Sequence, residues 1–141
     1  MEQKEIPKLI YQKMMEQDYC TQWLGAELLD IAEGYCKLKM QVRKDMLNGY
    51  GLLHGGMAFA LADSALAFAS SSYGRVAVSI NANIIYSKSA KLGEQLIAEA
   101  KALNVTHKTA DFDVTLVNET GEVYYYFRGT VYRTSREIDF D

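Results

Sequence analysis

The chain has 141 residues, 49% of them hydrophobic and 23% charged, with a net charge of -3. That length and apolar content predict a single domain over 1–141 with a core of its own, and the acidic balance argues against nucleic acid, which needs a basic surface. The start, Met1-Glu2-Gln3-Lys4-Glu5, leads into no signal-type apolar core, and the longest apolar run, 57–62, is far short of the roughly 20 residues that span a bilayer.

The expectation is therefore a cytoplasmic protein with no membrane partner. Cys20 and Cys36 are the only cysteines and show no CxxC spacing. They predict two small buried or half-buried thiols rather than a disulfide or a metal site.

Residues 7–18 predict a short amphipathic helix. Pro7 suits its first turn, and Leu9, Ile10, Met14 and Met15 fall at helical spacing. From 34 to 42 the chain alternates: Cys36, Leu38, Met40 and Val42 on one face, Lys37, Lys39 and Gln41 on the other. That is a half-buried strand. Residues 26–32 predict its partner, with the turn near Glu33-Gly34. A loop carrying Asn48-Gly49 and Gly51 covers 43–53.

An almost wholly apolar helix is expected over 56–72, buried rather than surface-lying, with Gly74 as its stop. Four strands follow, at about 76–87, 94–106, 109–118 and 122–134. Gly93 and Asn118-Glu119-Thr120-Gly121 mark two of their turns. The tyrosines 124–126 read as sheet packing. The order of helix, strands, buried helix and four strands is an α+β plan: an antiparallel sheet curled round one hydrophobic helix.

Chemistry concentrates at His54-Gly55-Gly56 and Asp63. Glycines opening a helix leave backbone N–H groups free for a developing negative charge, and the helix dipole favours that charge. An Asp inside an apolar helix is costly unless it has partners or a task. Donors from Gly55 or Gly56 beside the Asp63 carboxylate suit acyl transfer without a Ser or Cys nucleophile. Gly55 and Asp63 are eight residues apart, so about 12 Å along one helix axis, too far to serve one carbonyl. Two antiparallel copies would bring Gly55 of one to Asp63 of the other, so a homodimer with shared active sites is expected.

The spacing Asn48-x-x-Gly51-x-x-His54-Gly55-Gly56, with Leu61-Ala62-Asp63, Val78-Ser79 and Ala90-Lys91-Leu92-Gly93-Glu94, resembles the phenylacetate-degradation (PaaI-like) branch of the hotdog-fold acyl-CoA thioesterases. The likeness covers roughly 25–135. Ser89 stands where many relatives carry proline, a change of loop shape. The resemblance implies a hotdog fold and hydrolysis of a small-to-medium or aromatic acyl-CoA with no cofactor and no metal. It makes Asp63 the nucleophile or general base and Gly55 the N–H donor to the thioester oxygen. It puts Asn48 at the leaving group or water, and Ser79 at the water. His54 and Gly56 border the substrate. It also implies the homodimer, or a homotetramer.

Each residue has a plainer reading. Asp63 could be a hydrogen-bonded interface residue, the glycine pair a packing device, Asn48-Gly49 only a turn, and His54 an orienting group rather than a base. His107 is expected to be exposed. Lys88, Lys91, Lys108, Arg75 and Arg128 are candidates for the coenzyme A phosphates or ordinary solvated charges. Two rival functions stand beside the thioesterase: an acyl-CoA-binding sensor, which needs the pocket but no base, and a hotdog acyl-CoA hydratase or dehydratase, which needs a free His.

Overall fold

The alternation at 34–42 makes a strand with one dry face. Cys36 and Leu38 are fully buried and Met40 is 1% exposed, while Lys37 and Lys39 stay partly in water. A computed structural model describes residues 5–140. Its elements are α1 (Glu5–Met15), α2 (Tyr19–Leu24), β1 (Glu27–Ala32), β2 (Tyr35–Gln41), a 3-10 turn (Lys44–Met46), α3 (Gly55–Ser71), β3 (Arg75–Tyr86), β4 (Gln95–Val105), β5 (Thr109–Val117) and β6 (Val123–Glu137). The strands form one antiparallel sheet in the order β1-β2-β4-β5-β6-β3.

The sheet curls round α3. Its inner face supplies Leu38 from β2, Ala98 and Ala100 from β4, Phe112 and Val114 from β5, and Phe127 from β6, all buried with Leu61, Leu66 and Phe68 of the helix. Two alanines on β4 let the helix approach the sheet closely. On β6, a Cβ at Gly129 would stand 2.6 Å from the Leu66 side chain, so any larger residue there would force Leu66 to move.

Tyr124 and Tyr125 are both buried although adjacent. The ladder between β5 and β6 shifts register beside them, and the extra residue breaks the in-out alternation.

Three expectations need correction. The N-terminal segment is not one helix over 7–18. α1 ends at Met15, and a separate α2 begins after Asp18. The Asp18 carboxylate accepts from the Thr21 N–H and hydroxyl, at 3.0 and 2.7 Å, and so starts a new helix. Gly25, at φ 69°, ends it. Within α1, Ile10 is fully buried but Leu9 is exposed. Cys20, on α2, is exposed and only Cys36 is buried, where burial pushes its thiol up to about 12.

Third, α3 is not buried all round. Ten of its 17 residues are buried. Gly56, Ala60, Asp63 and Ala67 remain partly open and, at spacings of three and four, form one stripe. No helix among the described residues is long and apolar enough to cross a membrane.

Candidate active site

The start of α3 is fixed from several sides. Before it, the Asn48 side-chain oxygen accepts from the N–H groups of Tyr50 and Leu52, at 2.9 and 3.1 Å. That closes the 48–52 loop, and the Asn48 amide nitrogen makes no hydrogen bond among the described residues. The Leu53 N–H donates to the Ala90 carbonyl at 2.9 Å, and the His54 N–H to the Met46 carbonyl at 2.8 Å. The chain thus enters the helix at a set angle.

His54 is the N-cap, with φ -61° and ψ 132°. Its Nδ1 accepts from the Gly56 N–H at 2.9 Å, and its carbonyl accepts from Met57. The Gly56 N–H is therefore occupied, and the acceptor role leaves His54 with its proton on Nε2. The Gly55 N–H has no acceptor among the described residues. Of the two donors that the sequence offered, only Gly55 is free for a ligand. His54→Ala is expected to destabilise the protein by about 1 kcal/mol through loss of the cap, read as a shift of the urea midpoint at constant slope.

Asp63 lies on the open stripe of α3, half-buried. Among the described residues its carboxylate makes no hydrogen bond or ion pair. Burial pushes its affinity for a proton above the ordinary carboxylate range, and the nearby Asp18 carboxylate adds to this. Next to it, the Ser64 and Thr21 hydroxyls share a buried hydrogen bond of 2.7 Å that ties α2 to α3. An acid with raised affinity, no partner and a partly open face is poised to move a proton.

Ser79 is on β3, paired with buried Val131 and so turned to the helix side, where it is exposed. Tyr86, at the far end of β3, sits over Gly55. Ser79 and Tyr86 are seven positions apart along the strand, roughly 20 Å. Gly55, His54 and Tyr86 gather at the start of α3. Asp63 lies two turns further along the helix, and Ser79 toward the other end of β3.

Three of the five cationic candidates, Lys88, Arg128 and Arg75, are engaged with other groups. Lys88 pairs with Glu122 at 3.0 Å, Arg128 with Asp113 at 2.7 Å, and the Arg75 guanidinium donates to the carbonyl of exposed His107 at 2.7 Å. A groove of about 500 Å³ lined by Asn83, Ile85, Asp113, Tyr126 and Arg128 is on the outer face of the sheet, away from α3. Of the candidate residues it contains only Arg128, and none of Asn48, His54, Gly55, Gly56, Asp63 or Ser79. Sequence reading missed Tyr86, because one aromatic at a strand end carries no signal until the fold sets it on Gly55.

Residues 50–125 match the family model of the thioesterase superfamily. That span holds Gly55, Gly56, Asp63 and Ser79, and Asn48 falls just outside it. The acyl-coenzyme A thioesterase PaaI of Escherichia coli is 34% identical over 125 residues, covering 89% of each chain. The structure of the PaaI protein of the E. coli phenylacetic acid degradation operon superposes with a TM-score of 0.94 at 30% identity, covering 98% of this chain and 100% of that one. The structure of smu.793 from Streptococcus mutans bound to acetyl CoA gives 0.78 at 28% identity, covering 80% and 91%.

Proposed function

The chain belongs to the thioesterase superfamily, on its PaaI-like hotdog branch, and as such is a thioester hydrolase; we propose that its substrate is a small-to-medium or aromatic acyl-CoA, cleaved to the free acid and CoA in the cytoplasm. The observation that carries this reading is that one helix holds both a Gly55 N–H and an Asp63 carboxylate without a partner among the described residues.

In this reading the Gly55 N–H takes the thioester oxygen, where the helix dipole favours the charge that builds there. Asp63 either draws the proton from an attacking water or attacks the carbonyl carbon itself. The tetrahedral adduct collapses with loss of the CoA thiolate, which is protonated by Asp63 or by water; on the nucleophilic route a water then hydrolyses the Asp63–acyl anhydride to release the acid and restore the carboxylate. The Asn48 amide nitrogen holds the leaving group or the water, and Ser79 the water. His54 serves as a cap that leaves Gly55 as the open donor. With its Nδ1 committed to Gly56, it is a poor fit to the free base that a hydratase needs.

Gly55 and Asp63 meet only between copies, so the functional unit is a homodimer. The exposed edge of the sheet supports this. β3 has 12 residues, its outer edge is unpaired, and Val78, Ile80 and Ile85 are each at least 51% exposed. A long apolar edge in water invites a second strand. Antiparallel pairing of two β3 edges continues the sheet and lays the open stripes of two α3 helices together. Its small residues permit close approach, and Gly55 of one copy comes to Asp63 of the other. A tetramer of two such dimers adds no residue to the site.

The test is free-thiol release from acetyl-, hexanoyl-, palmitoyl- and benzoyl-CoA, with wild type beside Asp63→Asn. Turnover of at least one substrate that vanishes in the variant is the expected result. Tight binding of the panel without turnover would instead make the protein an acyl-CoA sensor.

A further inference from the structure

Tyr86 touches the one backbone position on which the proposed chemistry depends. A Cβ placed on Gly55 would stand 2.8 Å from Tyr86 Cε1 and 3.2 Å from Cζ, closer than carbon atoms pack. The ring therefore lies against the Gly55 Cα. It is backed by Tyr125, edge to face, with centroids 6.1 Å apart and planes at 90°. Tyr125 is 1% exposed, and its hydroxyl accepts from the Ala90 N–H at 2.9 Å. The Ala90 carbonyl in turn accepts from Leu53, one residue before the cap. Strand end, loop and helix start form one braced frame.

The front of the ring is not enclosed. Tyr86 is 52% exposed, and its hydroxyl has no hydrogen bond among the described residues. Gly55 packs under an otherwise open aromatic ring. A side chain at position 55 would push against the Tyr86 ring, which would have to swing away to admit it, before any substrate arrives. The ring is also the nearest side chain to the Gly55 α-carbon, beside the open N–H.

We propose that Tyr86 is the specificity wall of the thioester subsite: it opposes any side chain at position 55 and selects acyl groups that carry a CH₂, not a branched carbon, next to the carbonyl. The inference rests on the thioesterase reading above. An acyl group reaching Gly55 passes the ring with the carbon beside the carbonyl closest to it. A methyl branch there competes with ring atoms already fixed by Tyr125. Steric exclusion of one carbon in an apolar pocket is worth about 10–200-fold in selectivity.

The experiment measures kcat/KM for hexanoyl-CoA and 2-methylhexanoyl-CoA with wild type, Tyr86→Phe, Tyr86→Leu and Tyr86→Ala, and repeats hexanoyl-CoA with Gly55→Ala in the wild-type and Tyr86→Ala backgrounds. Wild type is expected to prefer the straight chain by about tenfold or more. Tyr86→Phe keeps that preference, because it keeps the ring. Tyr86→Ala reduces the preference about tenfold, and Tyr86→Leu reduces it less.

Gly55→Ala costs about 100-fold in kcat/KM when Tyr86 is present, the scale of a displaced oxyanion donor. It costs no more than about tenfold when Tyr86 is alanine, since the added methyl then has room. A preference that survives Tyr86→Ala, or a Gly55→Ala cost equal in both backgrounds, overturns the inference. If Tyr86→Ala does not fold, Tyr86→Leu decides on the same ratio. If wild type cleaves no acyl-CoA, the thioesterase reading fails and this inference with it. If wild type cleaves them with Asp63 dependence and the ratio is flat, only the role of Tyr86 fails.

Discussion

Asp63→Asn is expected to lower kcat by roughly 10²–10⁴-fold, the range for a lost general base, while the melting temperature stays level or rises. The variant removes the charge and keeps the shape. The carboxylate has no hydrogen bond or ion pair among the described residues, so no structural partner is orphaned. Burial, together with Asp18, already makes its ionised form costly.

The pH dependence follows from the direction of that shift. Because folding raises the affinity of Asp63 for its proton, this residue favours the folded state most below the ordinary carboxylate range. That contribution is lost as pH rises through the raised value. Asp63→Asn therefore gains stability relative to wild type as pH increases. Activity runs the other way: kcat/KM of wild type falls as pH drops through a point above the ordinary Asp range, as the base is protonated. Thermal melts and rate profiles from acid to neutral pH measure both. An Asp63→Asn protein that unfolds, or that keeps its turnover, would make the residue structural.

The second large effect is complementation. Gly55→Ala and Asp63→Asn are each expected to be nearly inactive alone. Co-expressed, they are expected to recover about a quarter of wild-type activity, because half of the dimers are mixed and each mixed dimer holds one intact site of two. The physical basis is the separation of Gly55 and Asp63, about 12 Å along one helix, with Tyr86 beside the first and Ser79 toward the other end of β3. Activity of the mixture equal to the mean of the two variants would place both groups in one protomer. A lysine at Val78, which puts a charge on the open edge of β3, is expected to yield monomers by size-exclusion chromatography and to lose activity in parallel.

Much of this architecture was written in local patterns. The six strands match the expected ones within a few residues, because alternation at 34–42 and the turns at Gly34, Gly93 and 118–121 depend only on near neighbours along the chain. α3 was legible for the same reason: an apolar run opened by two glycines and closed near Gly74. The second helix was not, although Asp18, Thr21 and Gly25 spell a start and a stop. A helix of six residues offers too few turns for periodicity to register. Cys20 fell on that unseen helix, and its exposure was missed along with it.

The site divides along the same line. Sequence alone determined that a helix start with two glycines precedes a carboxylate on the same apolar helix, since composition and spacing carry that. Only the structure showed that the Gly56 N–H is already taken, by a side chain whose reach depends on backbone angles at His54. Only the tertiary structure put Tyr86 on Gly55, since 30 residues of chain lie between them and a helix and a strand must fold back to join them. It alone left β3 at an open edge, because strand order comes from which hydrophobic faces can share one core, a condition on the whole chain that no local window contains.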